Sequence, residues 1–163
     1  MIVTRGRLLA SALLLIAATA LSGCSAFGPD TSVVKGDGDS TDVFTLKIGD
    51  CLNDAAADGE VSSVPTVDCA EPHDTEVFDA ITLTDETYPG DDALGKEADE
   101  ACLAAFPAFA GIAYDDSNLD YSSYYPTEAS WKKQDRAVTC LILSLDPEGN
   151  VTKTTGTLKN AKK

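Results

Sequence analysis

The chain holds one histidine, His73, and one tryptophan, Trp131, in 163 residues. A single imidazole cannot supply the three or four N or S donors of a zinc centre unless several thiols are free. No G-x-S-x-G elbow occurs, so that route to a serine nucleophile is absent. Basic residues are scarce: 12 Lys and Arg stand against 27 Asp and Glu. Nucleic acid and anionic lipid both repel such a surface. It favours solubility and a cationic partner instead. Long apolar runs are missing as well. The one candidate, residues 8–21, is shorter than the roughly 20 residues a membrane-spanning helix needs, and it breaks at Ser22 and Gly23.

Arg5 and Arg7 precede that run, and small residues follow it. A basic start, a short apolar stretch and small residues read as a secretory signal over residues 1–23. Its end, LSGC at 21–24, resembles the lipobox of bacterial lipoproteins. The resemblance implies that Cys24 is acylated and becomes the mature N-terminus, with two or more acyl chains giving a stable anchor. The cysteine count agrees independently, because five cysteines leave one over in an exported chain. With Cys24 carrying lipid, Cys51, Cys69, Cys102 and Cys140 remain, and an oxidising compartment favours two disulfides. Losing Arg5 and Arg7 takes the net charge from −15 to −17. The lipid, and not the protein surface, is then expected to hold the chain on the extracytoplasmic face of the cell membrane.

Residues 24–42 read as a lipid-anchored tether, rich in Gly, Ser, Asp and Thr and without periodicity. As a coil the stretch 25–42 spans about 23 Å. A calcium loop starting at Asp37 fails, since Asp42 and Ile48 fall where Gly and a bidentate Glu are required. The folded domain is expected over 43–159, with a frayed tail at 160–163. VFTLKIGDCL alternates and reads as a strand entering a turn. VSSVPTVDC reads as a strand that Pro65 demotes to an edge or breaks. TEVFDAITL, 75–83, and NLDYSSYY, 118–125, read as further strands. AVTCLILSL, 137–145, is apolar at both alternating sets, as a strand covered on both faces should be. VTKTTGTLK, 151–159, reads as its antiparallel partner after the DPEGN turn. One helix stands out, over residues 88–109. Asp91 or Asp92 can cap it, and Leu94, Ala98, Ala101, Cys102, Ala105 and Phe109 form its apolar stripe. Pro107 should end or kink it.

These elements make an α+β domain: an antiparallel sheet of about five or six strands with one main helix on one face. Four cysteines allow three pairings. Cys102 lies on the helix stripe and Cys140 on the central strand, while Cys51 and Cys69 both precede the helix around a turn-rich loop. The arrangement favours 51–69 and 102–140.

His73 sits in CAEPHDTEVF, beside carboxylates and a thiol. A catalytic or metal-binding role would need a nucleophile, an oxyanion site or further ligands, none of which is legible. The reading preferred is a turn beside the disulfide, with the imidazole bonded to a carboxylate or a backbone carbonyl. Tyr121, Tyr124 and Tyr125 concentrate aromatic surface, either as a ligand surface or, more in keeping with strand residues, as core. Asp135 and Arg136 read as a structural ion pair or turn.

IGDCLND, CAEPHDTEVF, EACLAAF with FAG, and WKKQDRAVTCLI with TGTL are together similar to the septum formation-related domain of actinobacterial lipoproteins and membrane proteins. The resemblance runs from about Val43 to Leu158. It implies structural roles for the four cysteines and puts His73 and Glu76 in a recurrent PH-x-x-E-V segment. Trp131, Asp135 and Arg136 belong to a second shared segment. The chain departs from the pattern at Gln134, where the family commonly has Gly, a residue that accepts positive φ cheaply. The expected function is non-enzymatic: a lipid-anchored protein that binds or scaffolds an envelope protein or wall component, cationic in character, without cofactor, metal or nucleic acid. The alternative is an envelope hydrolase using acidic residues and His73.

Overall fold

The computed structural model describes residues 40–55 and 59–163. The stretches read as signal and tether up to Asp39, with Cys24 between them, lie outside the described residues. One antiparallel sheet contains β1 (Ser40–Asp42), β2 (Cys51–Leu52), β3 (Ser63–Val67), β4 (Thr75–Thr82), β5 (Leu119–Tyr124), β6 (Ala137–Leu145) and β7 (Val151–Thr152). The order is β1-β3-β2-β4-β6-β5, and β7 pairs with the last two residues of β6. Helix α1 (Asp91–Ala110) packs on one face; a short α2 (Glu128–Trp131) leads into β6. The α+β class holds, with seven strands where five or six are expected.

Strand β6 organises the interior because its two faces are both apolar. Val138, Cys140 and Ile142 face α1 and join Phe78, Leu94, Ala98, Cys102, Phe106 and Phe109 in the main core. Leu141 points the other way, into a smaller core with Leu52, Val64 and Val77. The curled sheet covers its own second face with β2, β3 and the turn before them. A bulge in β4 at Phe78, between the pairs Val77–Leu141 and Asp79–Cys140, shifts the alternation. It brings Phe78 and Ile81, three residues apart, onto the helix side.

On α1 the buried line is Leu94, Ala98, Cys102 and Phe106, then Phe109 and Ala110. Phe106 replaces the expected Ala105 and Ala101, which are only half-buried. The N-cap is Gly90 and not Asp91 or Asp92. Those acids lie inside the first turn, where the helix dipole favours them. Pro107 does not end the helix, which continues to Ala110. The carbonyl deprived of a partner by Pro107 belongs to Leu103, on the exposed side.

Four segments depart from expectation. Val43–Thr45 is a 3-10 turn and not a strand. The Asp42 carboxylate accepts the Phe44 N–H at 2.9 Å, and the Thr45 hydroxyl donates to the Asp42 carbonyl at 2.8 Å. Such local bonds give the backbone an alternative to the ladder. Residues 40–42, read as tether, pair with Ser63–Pro65. Pro65 therefore sits inside β3, where the strand changes partner from β1 to β2. The tail is docked, not frayed. Asn160 N–H donates to the Phe109 carbonyl at 2.8 Å and Lys162 N–H to the Ala110 carbonyl at 3.0 Å. These bonds satisfy carbonyls that the end of α1 leaves open. Of 151–159, only Val151 and Thr152 ladder with β6.

The disulfides are Cys51–Cys69 and Cys102–Cys140, with Cα–Cα separations of 5.3 and 5.5 Å. The pairing favoured by the helix stripe is the one found. Loop-closure entropy gives about 3 kcal/mol for the shorter loop and about 4 for the longer.

Candidate functional site

Four consecutive polar residues lead into and begin β4: His73, Asp74, Thr75 and Glu76, all buried. Acids are rarely buried without partners. Each of these has them, and the partners come from distant parts of the chain.

His73 and Glu76 hold the C-terminal segment. His73 N–H donates to the Thr154 carbonyl and the Thr154 N–H donates back, both at 2.9 Å. Nδ1 lies 2.9 Å from the Glu71 carbonyl and Nε2 lies 3.2 Å from the Thr154 hydroxyl. One tautomer meets both contacts: Nδ1–H donates to the carbonyl and Nε2 accepts from the hydroxyl. Glu76 accepts from the Thr157 hydroxyl and the Leu158 N–H, each at 2.6 Å. Gly156 N–H donates to the Cys69 carbonyl at 2.6 Å. The Glu76 carboxylate and the sulfurs of Cys51 and Cys69 lie within 4.8 Å of one another. Both sulfurs are in a disulfide, and a metal ligand must be a thiolate.

Asp74 and Thr75 meet a second polar group that no spacing in the sequence announced. Asp54, at the end of β2, accepts from the Thr75 hydroxyl at 2.8 Å and from the Tyr124 hydroxyl at 2.6 Å. Asp74 accepts from the Ala55 N–H at 3.1 Å and from Lys153 Nζ at 2.8 Å, and that ammonium also donates to Asn53 at 2.6 Å. Burial pushes the Asp54 carboxyl up and the Asp74 charge adds to it, against the pull of the Tyr124 and Thr75 hydrogen bonds. Burial, the Asp54 charge and the bond to Asp54 raise the Tyr124 phenol.

The three tyrosines do not make one surface. Tyr121 lies on the helix side, donates to Asp99 at 2.7 Å and stacks edge-on with Tyr114 at 5.1 Å. Tyr124 lies on the opposite face of the sheet beside the small core. Tyr125 is exposed and its hydroxyl lies near Gly95 of α1.

Among the described residues, Arg136 is held by carbonyls and a ring and by no carboxylate. Its guanidinium lies 3.7 Å over the Trp131 ring. Nη1 donates to the carbonyls of Trp131 at 2.8 Å and Asp135 at 2.7 Å, and Nε donates to that of Asp85 at 3.1 Å. Trp131 is buried, stacks edge-on with Tyr88 and donates from Nε1 to the Glu86 carbonyl at 3.4 Å. Asp135 accepts from the Ala137 N–H at 3.1 Å. Of the two expectations for 135–136, ion pair or turn, the geometry is a turn. Gln134, before it, has φ 72°, the left-handed conformation that glycine takes easily. An open cleft of about 410 Å³ is lined here by Leu83, Thr84, Asp85, Glu86, Gln134 and Arg136. A second, of about 570 Å³, lies by Glu60, Asp91, Glu128, Lys132 and Lys133. Neither is lined by His73, Glu76, Asp54 or Asp74.

A curled antiparallel sheet, one long helix stapled to its central strand and a polar interior that is bonded to itself define an extensively cross-tied α+β domain. Residues 48–163 match the pattern of the septum formation family, and the chain belongs to that family. No curated protein and no solved structure matches the chain.

Proposed function

We propose that this is a lipid-anchored envelope protein whose septum formation domain works by binding, not by catalysis, and takes a cationic envelope component as partner. The family points to septum formation or cell division as the process. One observation carries the non-enzymatic reading: His73 has no solvent exposure, and both ring nitrogens are spent on Glu71 and Thr154. A general base must reach the proton it abstracts. The acidic composition supports a cationic partner, and the lipobox with its odd cysteine supports the anchor.

The hydrolase reading keeps one observation in its favour, the raised Asp54 carboxyl beside Asp74. Both Asp54 oxygens accept hydrogen bonds from Thr75 and Tyr124, however, and the residue is buried.

Two experiments test the reading. Labelled palmitate should enter the wild type and not Cys24→Ala, which should appear in the medium; equal membrane retention of both would remove the anchor. Crosslinking and pull-down from intact dividing cells should then recover a basic partner, with capture that weakens as salt rises. Turnover of a wall-derived substrate by wild type, lost in a folded Asp54→Asn or His73→Gln, would make the protein an enzyme.

A further inference from the structure

We propose that the turn Phe44–Ile48 is a second contact with the membrane, an apolar edge that seats the domain on the lipid surface beside its own anchor. This rests on the reading of Cys24 as lipid-bearing. Among the described residues, the large apolar side chains that stand exposed are Phe44 at 56%, Ile48 at 55%, Tyr125 at 42% and Leu103 at 41%. Single exposed apolar residues are ordinary. Here the two most exposed lie four residues apart, in the first turn of the folded domain.

That turn is braced. Besides the two bonds to Asp42, Lys47 N–H donates to the Asp50 carboxylate at 2.8 Å and Gly49 N–H donates to the Val77 carbonyl at 2.8 Å. Val43 and Leu46 pack inward against the small core. Val43 and Leu46 are thus half-buried while Phe44 and Ile48, in the same braced segment, stand exposed.

The chain upstream selects the occupant. Fifteen residues, 25–39, join Cys24 to Ser40. Fifteen residues reach no further than about 55 Å. With Cys24 in the bilayer, Phe44 and Ile48 are the first exposed large apolar side chains of the described residues within reach of it. Charge limits the contact to an edge. The turn carries Lys47 against Asp42 and Asp50, and both carboxylates accept backbone N–H groups of the turn itself. The remainder of the acidic chain is repelled by anionic headgroups. A neutral or zwitterionic lipid surface suits it, with Phe44 and Ile48 at the boundary between headgroup and acyl chain.

Four of the five cysteines are in disulfides, so a maleimide lipid can be placed on Cys24 of the mature chain whether or not the cell acylates it. In phosphatidylcholine vesicles doped with acyl-brominated lipid, Phe44→Trp and Ile48→Trp should shift to the blue and lose emission beyond the Trp131 background. Leu103→Trp, on α1, should not. Amide exchange over 43–50 in the unsubstituted chain should slow on the vesicles, and phosphatidylglycerol should weaken both effects. Equal emission loss at positions 44, 48 and 103, or no loss with exchange unchanged, overturns the proposal. A concentration-dependent blue shift without vesicles assigns the turn to a second copy and overturns it too. Quenching with the synthetic anchor but no palmitate on Cys24 in cells would remove the natural anchor while upholding the apolar edge. Palmitate in cells without quenching would do the reverse.

Discussion

His73 and Thr154 hold each other by three contacts: a backbone hydrogen bond in each direction at 2.9 Å and a side-chain contact, Nε2 to hydroxyl, at 3.2 Å. The pair joins the start of β4 to the segment after β7, a separation of 81 residues. His73→Gln keeps the backbone bridge and loses the ring contacts to Glu71 and Thr154. With about 0.5–1.5 kcal/mol for each hydrogen bond, the expected loss is roughly 1–3 kcal/mol. Urea unfolding followed by far-UV circular dichroism measures it. Partner capture should persist under conditions where the variant is folded; its loss there would give His73 a role in binding.

The longer disulfide should matter most. Cys102→Ser removes the staple between α1 and β6, the two sides of the main core. The expected cost is about 2–5 kcal/mol, as for native bridges of small secreted domains. Denaturation of oxidised protein and peptide mapping without reduction check it. A 51–102 or 51–140 linkage in the mapped wild type would contradict the packing described here.

What was legible in the sequence follows short-range periodicity. The two apolar sets of 137–145 announced a strand covered on both faces, and the line through Leu94, Ala98 and Cys102 announced the helix and its staple. Long-range polar contacts left no such trace. Tyr124 and Asp54 are 70 residues apart, and Lys153 and Asp74 are 79 apart. Their residue types are common in loops, and nothing local marks them as partners. Asn160 and Lys162 take positive φ so that the tail can reach the last turn of α1. Their identities read as an unstructured end because tertiary bonds, not propensity, fix that conformation. The exception is the run His73–Glu76, whose unusual density of polar residues at a strand start was visible and whose partners were not.

The Asp54 carboxyl gives the fold a pH dependence of defined sign. Its pKa in the folded protein lies above the ordinary value of 3.8, chiefly through burial. The folded state thus favours the protonated form. The stability this contributes is fully present below the unfolded value and is lost as pH rises through the folded one. Asp54→Asn removes the titration while its amide can still meet Thr75 and Tyr124. The stability of wild type relative to Asp54→Asn should therefore fall as pH rises above the ordinary carboxyl value of 3.8. Urea unfolding of both proteins across that rise measures the difference. A difference that is flat, or that grows with pH, would contradict the assignment.

Gln134 offers a stabilising change. Its φ of 72° places an L-residue in the left-handed region, which glycine enters cheaply. A side chain there costs about 1–2 kcal/mol, because Cβ crowds the backbone oxygen. Glycine removes that cost and adds back about 0.5–1 kcal/mol through the greater freedom of the unfolded chain. Gln134 is exposed and its side chain anchors nothing in the turn, whose bonds run through Arg136 and the carbonyls of Trp131, Asp135 and Asp85. Gln134→Gly should therefore raise stability by about 0.5–1 kcal/mol. Gln134→Ala keeps the strain and should not. Thermal and urea unfolding of the three proteins separate the outcomes. If both variants changed stability alike, the gain would come from losing the glutamine side chain, and the backbone argument would fail.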